Sequence, residues 1–239
     1  MEVQKKLALI TDAGSGIGFE LARVFAKNDF DLIIASDSDV VLDRAKLLRQ
    51  YEVEVSTCVA DLSTQEGCDE LYAKIGRPLD VAVFNSSLGN PGEFIRTDFA
   101  QDLKLMNLGV VQLVGLSKKI LQDMVIRDEG RILFTSSLAA EVPGSYSATF
   151  AATQAFLQTF VQAIRFEVTE SKKKIKITYL EPRPTDSEFF STIAQQGFDA
   201  LMSDKALVVG ESLDQNLRKA ATKILAQNRT GEPARKAAK

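Results

Sequence analysis

The segment "LALITDAGSGIG" (residues 7–18) joins an apolar run to a glycine-rich turn and then to the start of an amphipathic helix. The apolar run at 7–11 predicts a buried strand, and residues 16–28 carry helical periodicity. Glycines in such a turn let the backbone approach a bound phosphate, while the helix N-terminus offers unpaired N–H groups and a positive dipole end. The segment therefore predicts an anion-binding turn between the first strand and the first helix.

The alternation of strand and helix continues along the chain. Apolar runs bounded by turn residues predict five further strands, at 30–36, 53–60, 80–85, 131–137 and 175–182. Segments with helical periodicity lie between them, at 39–50, 64–75, 99–124 and 149–169. Because such alternation implies right-handed crossovers, we predict a doubly wound parallel sheet with helices on both faces, in three α/β/α layers.

Residues 1–239 are predicted to form a single domain, because this length and 45% hydrophobic residues suffice for one core. Residues 187–210 predict a helix, a loop and a short strand, and residues 212–226 predict a further helix. The end of the chain, residues 228–239, is polar and basic, which predicts a flexible tail.

Composition excludes several classes of function. The 29 basic and 32 acidic residues are nearly balanced, so no nucleic-acid partner is expected. The chain has no histidine, and Cys58 and Cys68 alone provide neither a disulfide framework nor a zinc site, so no metal is expected. The first apolar run is too short for a signal peptide, and no run approaches the roughly 18 apolar residues of a membrane span. We therefore expect a soluble cytoplasmic protein with no membrane partner.

Five motifs follow one another in order along the chain. They are "TDAGSGIG" (11–18), "VADL" (59–62), "FNSSLGNPGEF" (84–94), "GRILFTSSLAA" (130–140) and "EPRPTDSEF" (181–189). In this order they resemble the short-chain dehydrogenase/reductase family over residues 5 to about 190. The resemblance implies a Rossmann-type fold, bound NAD(H) or NADP(H), a small-molecule ligand in the cleft, and hydride exchange between an alcohol and a carbonyl. It also implies a homodimer or homotetramer formed through the helices at 99–124 and 149–169.

The resemblance assigns cofactor binding to residues that follow the strands. The set is Thr11, Asp12, Ser15, Gly16, Ile17, Gly18, Ser36, Asp37, Asp61, Leu62, Asn85, Gln154, Pro182 and Thr185. Asp12 stands where the family has the first glycine of its turn. A carboxylate about 5 Å from a phosphate costs roughly 3 kcal/mol at an effective dielectric near 20, which is about a hundredfold in affinity. Binding of NAD or NADP is therefore expected to be weakened, unless Asp12 turns outward and caps the helix.

Other departures concern the two ends of the cofactor. NAD-preferring members carry an acid after the second strand and NADP-preferring members an arginine, so Asp37 favours NAD unless it is a solvated turn residue. Asp61 and Leu62 match the family's adenine-contacting pair, and Asn85 is the asparagine kept from the family's "NNAG". Arg183 replaces a glycine beside the nicotinamide, where it either fills space, binds an anion or points to solvent.

The family's catalytic set consists of Asn, Ser, Tyr and Lys, and most of it is changed here. Serine is retained as Ser137. Thirteen residues further on, the tyrosine position holds Phe150, and four beyond that the lysine position holds Gln154. An alignment without gaps puts the asparagine position at Gly109, while Asn107 lies two residues earlier. The resemblance therefore identifies a divergent member with a degenerate tetrad.

The missing residue types carry the proton chemistry. The tyrosine exchanges a proton with the substrate oxygen, and the lysine lowers the pKa of its phenol. Phenylalanine has no proton to give, and neutral Gln154 cannot lower a phenol's pKa, although it can hydrogen-bond ribose hydroxyls. Losing general acid–base catalysis alone costs about 10²–10⁴ in rate. Conventional dehydrogenase catalysis is therefore expected to be impaired, and a binding or regulatory role is favoured.

Two alternatives stay open from the sequence. One is an active oxidoreductase in which Ser137 or Tyr146 transfers the proton to or from a carbonyl or alcohol substrate. Tyr146 precedes the helix at 149–169, and from there its ring could reach the substrate. The other is a structural partner whose surface helices, at 99–124 and 149–169, form an interface.

Overall fold

The computed structural model describes residues 4–14, 16–86, 88–141, 143–144, 146–182 and 190–209, in which strands and helices alternate in the predicted order. The strands are β1 (Lys6–Ile10), β2 (Phe30–Ser36), β3 (Val55–Val59), β4 (Val81–Phe84), β5 (Gly130–Thr135), β6 (Ile175–Glu181) and β7 (Leu207–Val209). The helices are α1 (Gly16–Lys27), α2 (Val40–Leu48), α3 (Gln65–Ala73), α4 (Phe99–Met106), α5 (Leu113–Arg127), α6 (Ala148–Glu170) and α7 (Phe190–Met202). Predicted residues Ser15, Arg183 and Thr185, the helix at 212–226 and the tail at 228–239 lie outside the described residues.

The seven strands form one parallel sheet in the order β3-β2-β1-β4-β5-β6-β7. This confirms the predicted doubly wound fold. The strand β1 pairs with β2 on one side and with β4 on the other, so the winding direction reverses between β1 and β4. In open sheets of this kind, ligands bind outside the carboxyl ends of the strands at such a reversal.

Two apolar layers hold the helices against the sheet. On one face, Leu21 of α1, Val41 of α2 and Ile193 of α7 belong to one core cluster. On the other face, α3, α5 and α6 contribute to a second cluster. Strand β1 supplies Ala8 and Ile10 to the first cluster and alternate residues to the second, because its two faces are both covered. This accounts for its uninterrupted apolar sequence and confirms the three-layer arrangement.

The helix predicted at 99–124 is interrupted by a π-helical segment, Asn107–Gln112, between α4 and α5. A π-helical turn holds one residue more than an α-helical turn, and it shifts the faces on which the following side chains lie. The spacing of apolar residues did not predict this segment. It places Leu108 and Gly109 against the cavities described below. Within the part of the chain that the structure describes, no helix combines the length and apolarity needed to cross a membrane.

Candidate functional site

A cleft of about 360 Å³ opens at the carboxyl ends of β1 to β4, where the winding direction reverses. Among the predicted cofactor residues, those lining it are Asp12, Ser36, Asp37, Asp61, Leu62 and Asn85. A smaller cavity of about 40 Å³ shares Leu62 and Asn85 with the cleft and continues to Gly109 and Gln154. The fold therefore brings the predicted nucleotide end and the predicted catalytic helix positions to two adjacent cavities that share lining residues.

The glycine-rich turn has the close backbone approach that its sequence predicts. A Cβ atom at Gly18 would collide with the backbone carbonyl of Asp12 and lie 2.8 Å from Asn85 Nδ2, so this position requires glycine. Gly16 has a φ of 58°, which glycine adopts without strain. Ile17 packs on the first core cluster and fixes the start of α1.

Asp12 combines an unusual backbone conformation with a charge in the cleft. Its φ is 49°, in the left-handed region that costs a residue with a Cβ roughly 1 kcal/mol or more. The residue is half-buried and lines the cleft, and Asn85 Nδ2 lies 3.4 Å from its carboxylate Oδ2. A phosphate bound against this turn would therefore meet a carboxylate at the position where the resembled family has a glycine.

Asn85 ties three strand ends together beneath the cleft. Its backbone N–H donates to Thr11 Oγ1 at 2.9 Å, and the Thr11 hydroxyl donates to the Asn85 carbonyl at 2.7 Å. The Thr135 hydroxyl donates to Asn85 Oδ1 at 2.7 Å. All three residues are buried. Since both polar ends of the Asn85 side chain are engaged, this residue fixes the floor of the site by joining β1, β4 and β5.

The nucleotide end of the cleft carries an ion-pair bridge. Lys104 of α4 places its ammonium 3.0 Å from Asp61 Oδ2 and 3.9 Å from Asp37 Oδ2. Burial would raise the pKa of Asp61, but hydrogen bonds from Ser63 and from Lys104 outweigh it and hold that pKa below its ordinary value. Asp61 is therefore an ionised, paired carboxylate. Sequence reasoning missed Lys104, because nothing in the spacing along the chain relates α4 to the ends of β2 and β3.

Gln154 is held by a buried chain of hydroxyl groups. The Tyr179 hydroxyl donates to Ser136 Oγ at 2.7 Å, and the Ser136 hydroxyl donates to Gln154 Oε1 at 3.0 Å. Because its oxygen is engaged, Gln154 presents only its amide NH₂ group as a donor to further partners, and the residue lines the smaller cavity. Sequence reasoning singled out Ser137 and missed both Ser136 and Tyr179. The doubled serine at 136–137 was the available signal.

Tyr179 makes the stability of the protein sensitive to alkaline pH. Burial raises the pKa of Tyr179 to about 12, although the hydrogen bond to Ser136 works in the opposite direction. Between about pH 10 and about pH 12 the unfolded chain loses this proton while the folded chain keeps it. The free energy of unfolding contributed by this group should therefore fall by up to about 1.4 kcal/mol per pH unit as pH rises through that window.

The test is urea unfolding across the same window for the wild type and Tyr179→Phe. The variant is expected to lose stability less steeply with pH, because phenylalanine has no proton to release. Burial also raises the pKa of Cys68, to about 11, but that thiol is present in both proteins and cancels in the comparison. Equal slopes would contradict the assignment to Tyr179.

The remaining predicted catalytic positions lie near the start of α6. Phe150 is half-buried in the first turn of that helix, and Ser137 accepts a hydrogen bond from the Ala139 N–H at 3.3 Å. A Cβ atom at Gly109 would lie 3.4 Å from the Thr153 Cβ, so position 109 faces α6 next to Gln154. Tyr146 is 62% exposed, has a φ of 64°, and accepts a bond from the Gly92 N–H through its carbonyl. The described residues contain no cluster of side chains suited to holding a metal ion.

Comparisons with known proteins agree with this fold. A sequence model of the short chain dehydrogenase family matches residues 6–197. An uncharacterized oxidoreductase, YmfI of Bacillus subtilis, is 26% identical over 189 residues, which cover 78% of this chain and 77% of that protein. Seven further curated relatives are matched over 50–59% of their own length.

Two solved structures show the same fold with a nicotinamide cofactor bound. A short-chain dehydrogenase from Sphingobium yanoikuyae in complex with NADPH has a TM-score of 0.81 at 20% identity and covers 98% of both chains. A short-chain dehydrogenase/reductase from Burkholderia phymatum in complex with NAD has a TM-score of 0.85 at 14% identity, covering 100% of this chain and 99% of the other.

Proposed function

This chain belongs to the short-chain dehydrogenase family, and from that membership we propose that it keeps the family's cleft for binding or regulation while ordinary hydride transfer is lost. The ligand class that fits the site is a nicotinamide dinucleotide, which the two solved structural neighbours carry. The glycine turn and the strand-end residues of the cleft supply the backbone approach that such a ligand needs.

The observation that carries this proposal is the chemical type and the hydrogen bonding of the Gln154 side chain. Where the family has a lysine, this chain has a neutral amide whose oxygen is already engaged by Ser136. No ammonium is then available from this position to lower the pKa of a neighbouring phenol, and Phe150 supplies no phenol. The amide can still donate to a ribose hydroxyl, so the proposed role of Gln154 is binding without proton transfer.

The charges of the cleft favour weak binding and, of the two cofactors, NAD(H). Among the described residues that line the cleft, three carboxylates, those of Asp12, Asp37 and Asp61, face one cation, Lys104. A pyrophosphate already meets Asp12, and the further phosphate of NADP(H) at the ribose 2′ position would add repulsion from Asp37. We therefore propose a weakened site with a preference for NAD(H).

The proposal is tested by the wild-type protein itself. Purified chain should oxidise neither NADH nor NADPH above background with a broad panel of aldehydes and ketones. The matched control is Ser137→Ala, which removes the remaining tetrad hydroxyl and should leave the background unchanged. Cofactor-dependent turnover above that control would favour the alternative, an oxidoreductase that uses Ser137 or Tyr146 for the proton.

We also propose an oligomeric state and a cellular location for this protein. Phe99, Leu103 and Val111 are exposed on α4 and the π-helical segment, and Phe166 is exposed on α6. These are the helices through which we propose a homodimer or homotetramer. A cytoplasmic location is proposed with it, in keeping with two cysteines that are buried and free. That residues 1–239 form one domain also remains a prediction.

A further inference from the structure

Lys104 closes the nucleotide end of the cleft from the opposite side. Asp37 directly follows β2, and Asp61 follows β3 by two residues, whereas Lys104 comes from α4, beyond β4. The ammonium reaches both carboxylates, at 3.9 Å and 3.0 Å, and all three residues line the cleft. The bridge therefore links the ends of β2 and β3 to α4 within the lining of the cleft.

The two carboxylate oxygens of Asp61 are used differently. Oδ1 accepts from the Ser63 N–H at 2.9 Å and from the Ser63 hydroxyl at 2.7 Å. Oδ2 faces Lys104. A ligand with N–H or O–H donors would need Oδ2, because Oδ1 is already taken by the following turn. Lys104 thus holds the oxygen that a ligand would use.

We propose that Lys104 is an intramolecular latch that occupies the nucleoside subsite of the cleft, so that an adenosine group enters only when the ammonium leaves Asp61 and Asp37. This inference rests on the proposed function to the extent that the cleft binds a nucleoside. The latch is weak enough to open: its lysine is 34% exposed, and its two carboxylates are 42% and 60% exposed. Water and salt screen pairs of this exposure strongly.

Adenosine is the appropriate probe, because it is neutral and its affinity is not changed by the net charge of the cleft. We expect Lys104→Met to bind adenosine about threefold more tightly than the wild type in a calorimetric titration, since the variant frees Asp61 to accept a donor and exposed ion pairs are weak. The matched control is Lys119→Met. Lys119 pairs with Asp69 between α5 and α3, with similar exposure and away from the cleft.

A salt titration gives a second readout on the wild type. Raising sodium chloride from about 0.05 M to about 0.5 M should increase its adenosine affinity, because screening loosens the bridge, and should leave Lys104→Met unchanged. Adenosine affinity in Lys104→Met equal to or below that of the wild type would overturn the proposal, as would no detectable binding at millimolar adenosine.

A different role for Lys104 has its own signature. If Lys104→Met loses affinity for adenosine 2′-phosphate while its affinity for adenosine stays at the wild-type value, the lysine binds phosphate and is not a latch. None of these binding results depends on whether the protein has dehydrogenase activity. The latch can therefore be disproved while the proposed function stands. The NAD(P)H oxidation assay tests the proposed function separately.

Discussion

The double variant Phe150→Tyr/Gln154→Lys is expected to reduce carbonyl compounds with NADH or NADPH at least a hundredfold faster than the wild type. The substitutions restore a proton donor and a cation that lowers the pKa of its phenol, which together account for about 10²–10⁴ in rate. The measurement is NAD(P)H oxidation at saturating cofactor over the panel of aldehydes and ketones used for the wild type.

The packing around both positions admits the new side chains. Phe150 is half-buried, so a phenol oxygen can be added without opening the core. At position 154 a lysine ammonium can donate to Ser136 Oγ, because that oxygen now accepts only the Tyr179 hydroxyl and keeps a second lone pair. Gly109→Asn completes the set, and its Cβ needs the Thr153 side chain to move by a few tenths of an ångström.

The single variant Gln154→Lys is the matched control for the double variant. It carries the new charge but no phenol, and it should stay at the wild-type rate. Thermal unfolding of each variant checks that the buried lysine has not unfolded the site. If the double variant stays inactive while folded and saturated with cofactor, the loss of catalysis does not lie in Phe150 and Gln154 alone.

The fold could be predicted from the sequence because its signals are local and repeated. One short segment contains the apolar run of β1, the glycines after it and the helical periodicity of α1. All three features predict a strand followed by a turn and a helix. The same agreement recurs through β6, which is why a parallel sheet covered by helices on both faces could be predicted. The short β7 pairs with β6 in the segment where a short strand was predicted.

The candidate site could be predicted where the motifs of the family match this sequence, which includes residues that follow strands and the helical positions Gly109 and Gln154. Asp12, Asp37, Asp61 and Asn85 were found in this way, and they line one cleft. The bridge from Lys104 was not predicted, because it joins elements distant in sequence.

The residues around Gln154 were missed for a related reason. In the sequence, Tyr179 is one of several apolar residues of β6, and nothing there relates it to Ser136. Only the fold brings its hydroxyl within hydrogen-bonding distance of Ser136. The π-helical segment was missed because apolar residues stand at most positions of 105–116, so the shift of face leaves no break in the pattern.

The variant Asp12→Gly is expected to bind NADH about a hundredfold more tightly than the wild type. Removing a carboxylate about 5 Å from a phosphate relieves roughly 3 kcal/mol at an effective dielectric near 20. Glycine also adopts the left-handed φ of 49°, so the substitution keeps the backbone conformation of the turn. Calorimetric titration with NADH and NADPH measures the change, and the gain should shrink as salt screens the charge.

The variant Asp12→Asn separates the effect of the charge from that of the Cβ atom. Asparagine removes the charge, keeps the size of the side chain and tolerates the left-handed conformation, so it should recover most of the gain if repulsion is responsible. A gain confined to Asp12→Gly would instead assign the effect to the Cβ and the backbone. Micromolar affinity of the wild type, unchanged in both variants, would mean that Asp12 points away from the phosphates, and the weak cofactor binding proposed for this cleft would then be wrong.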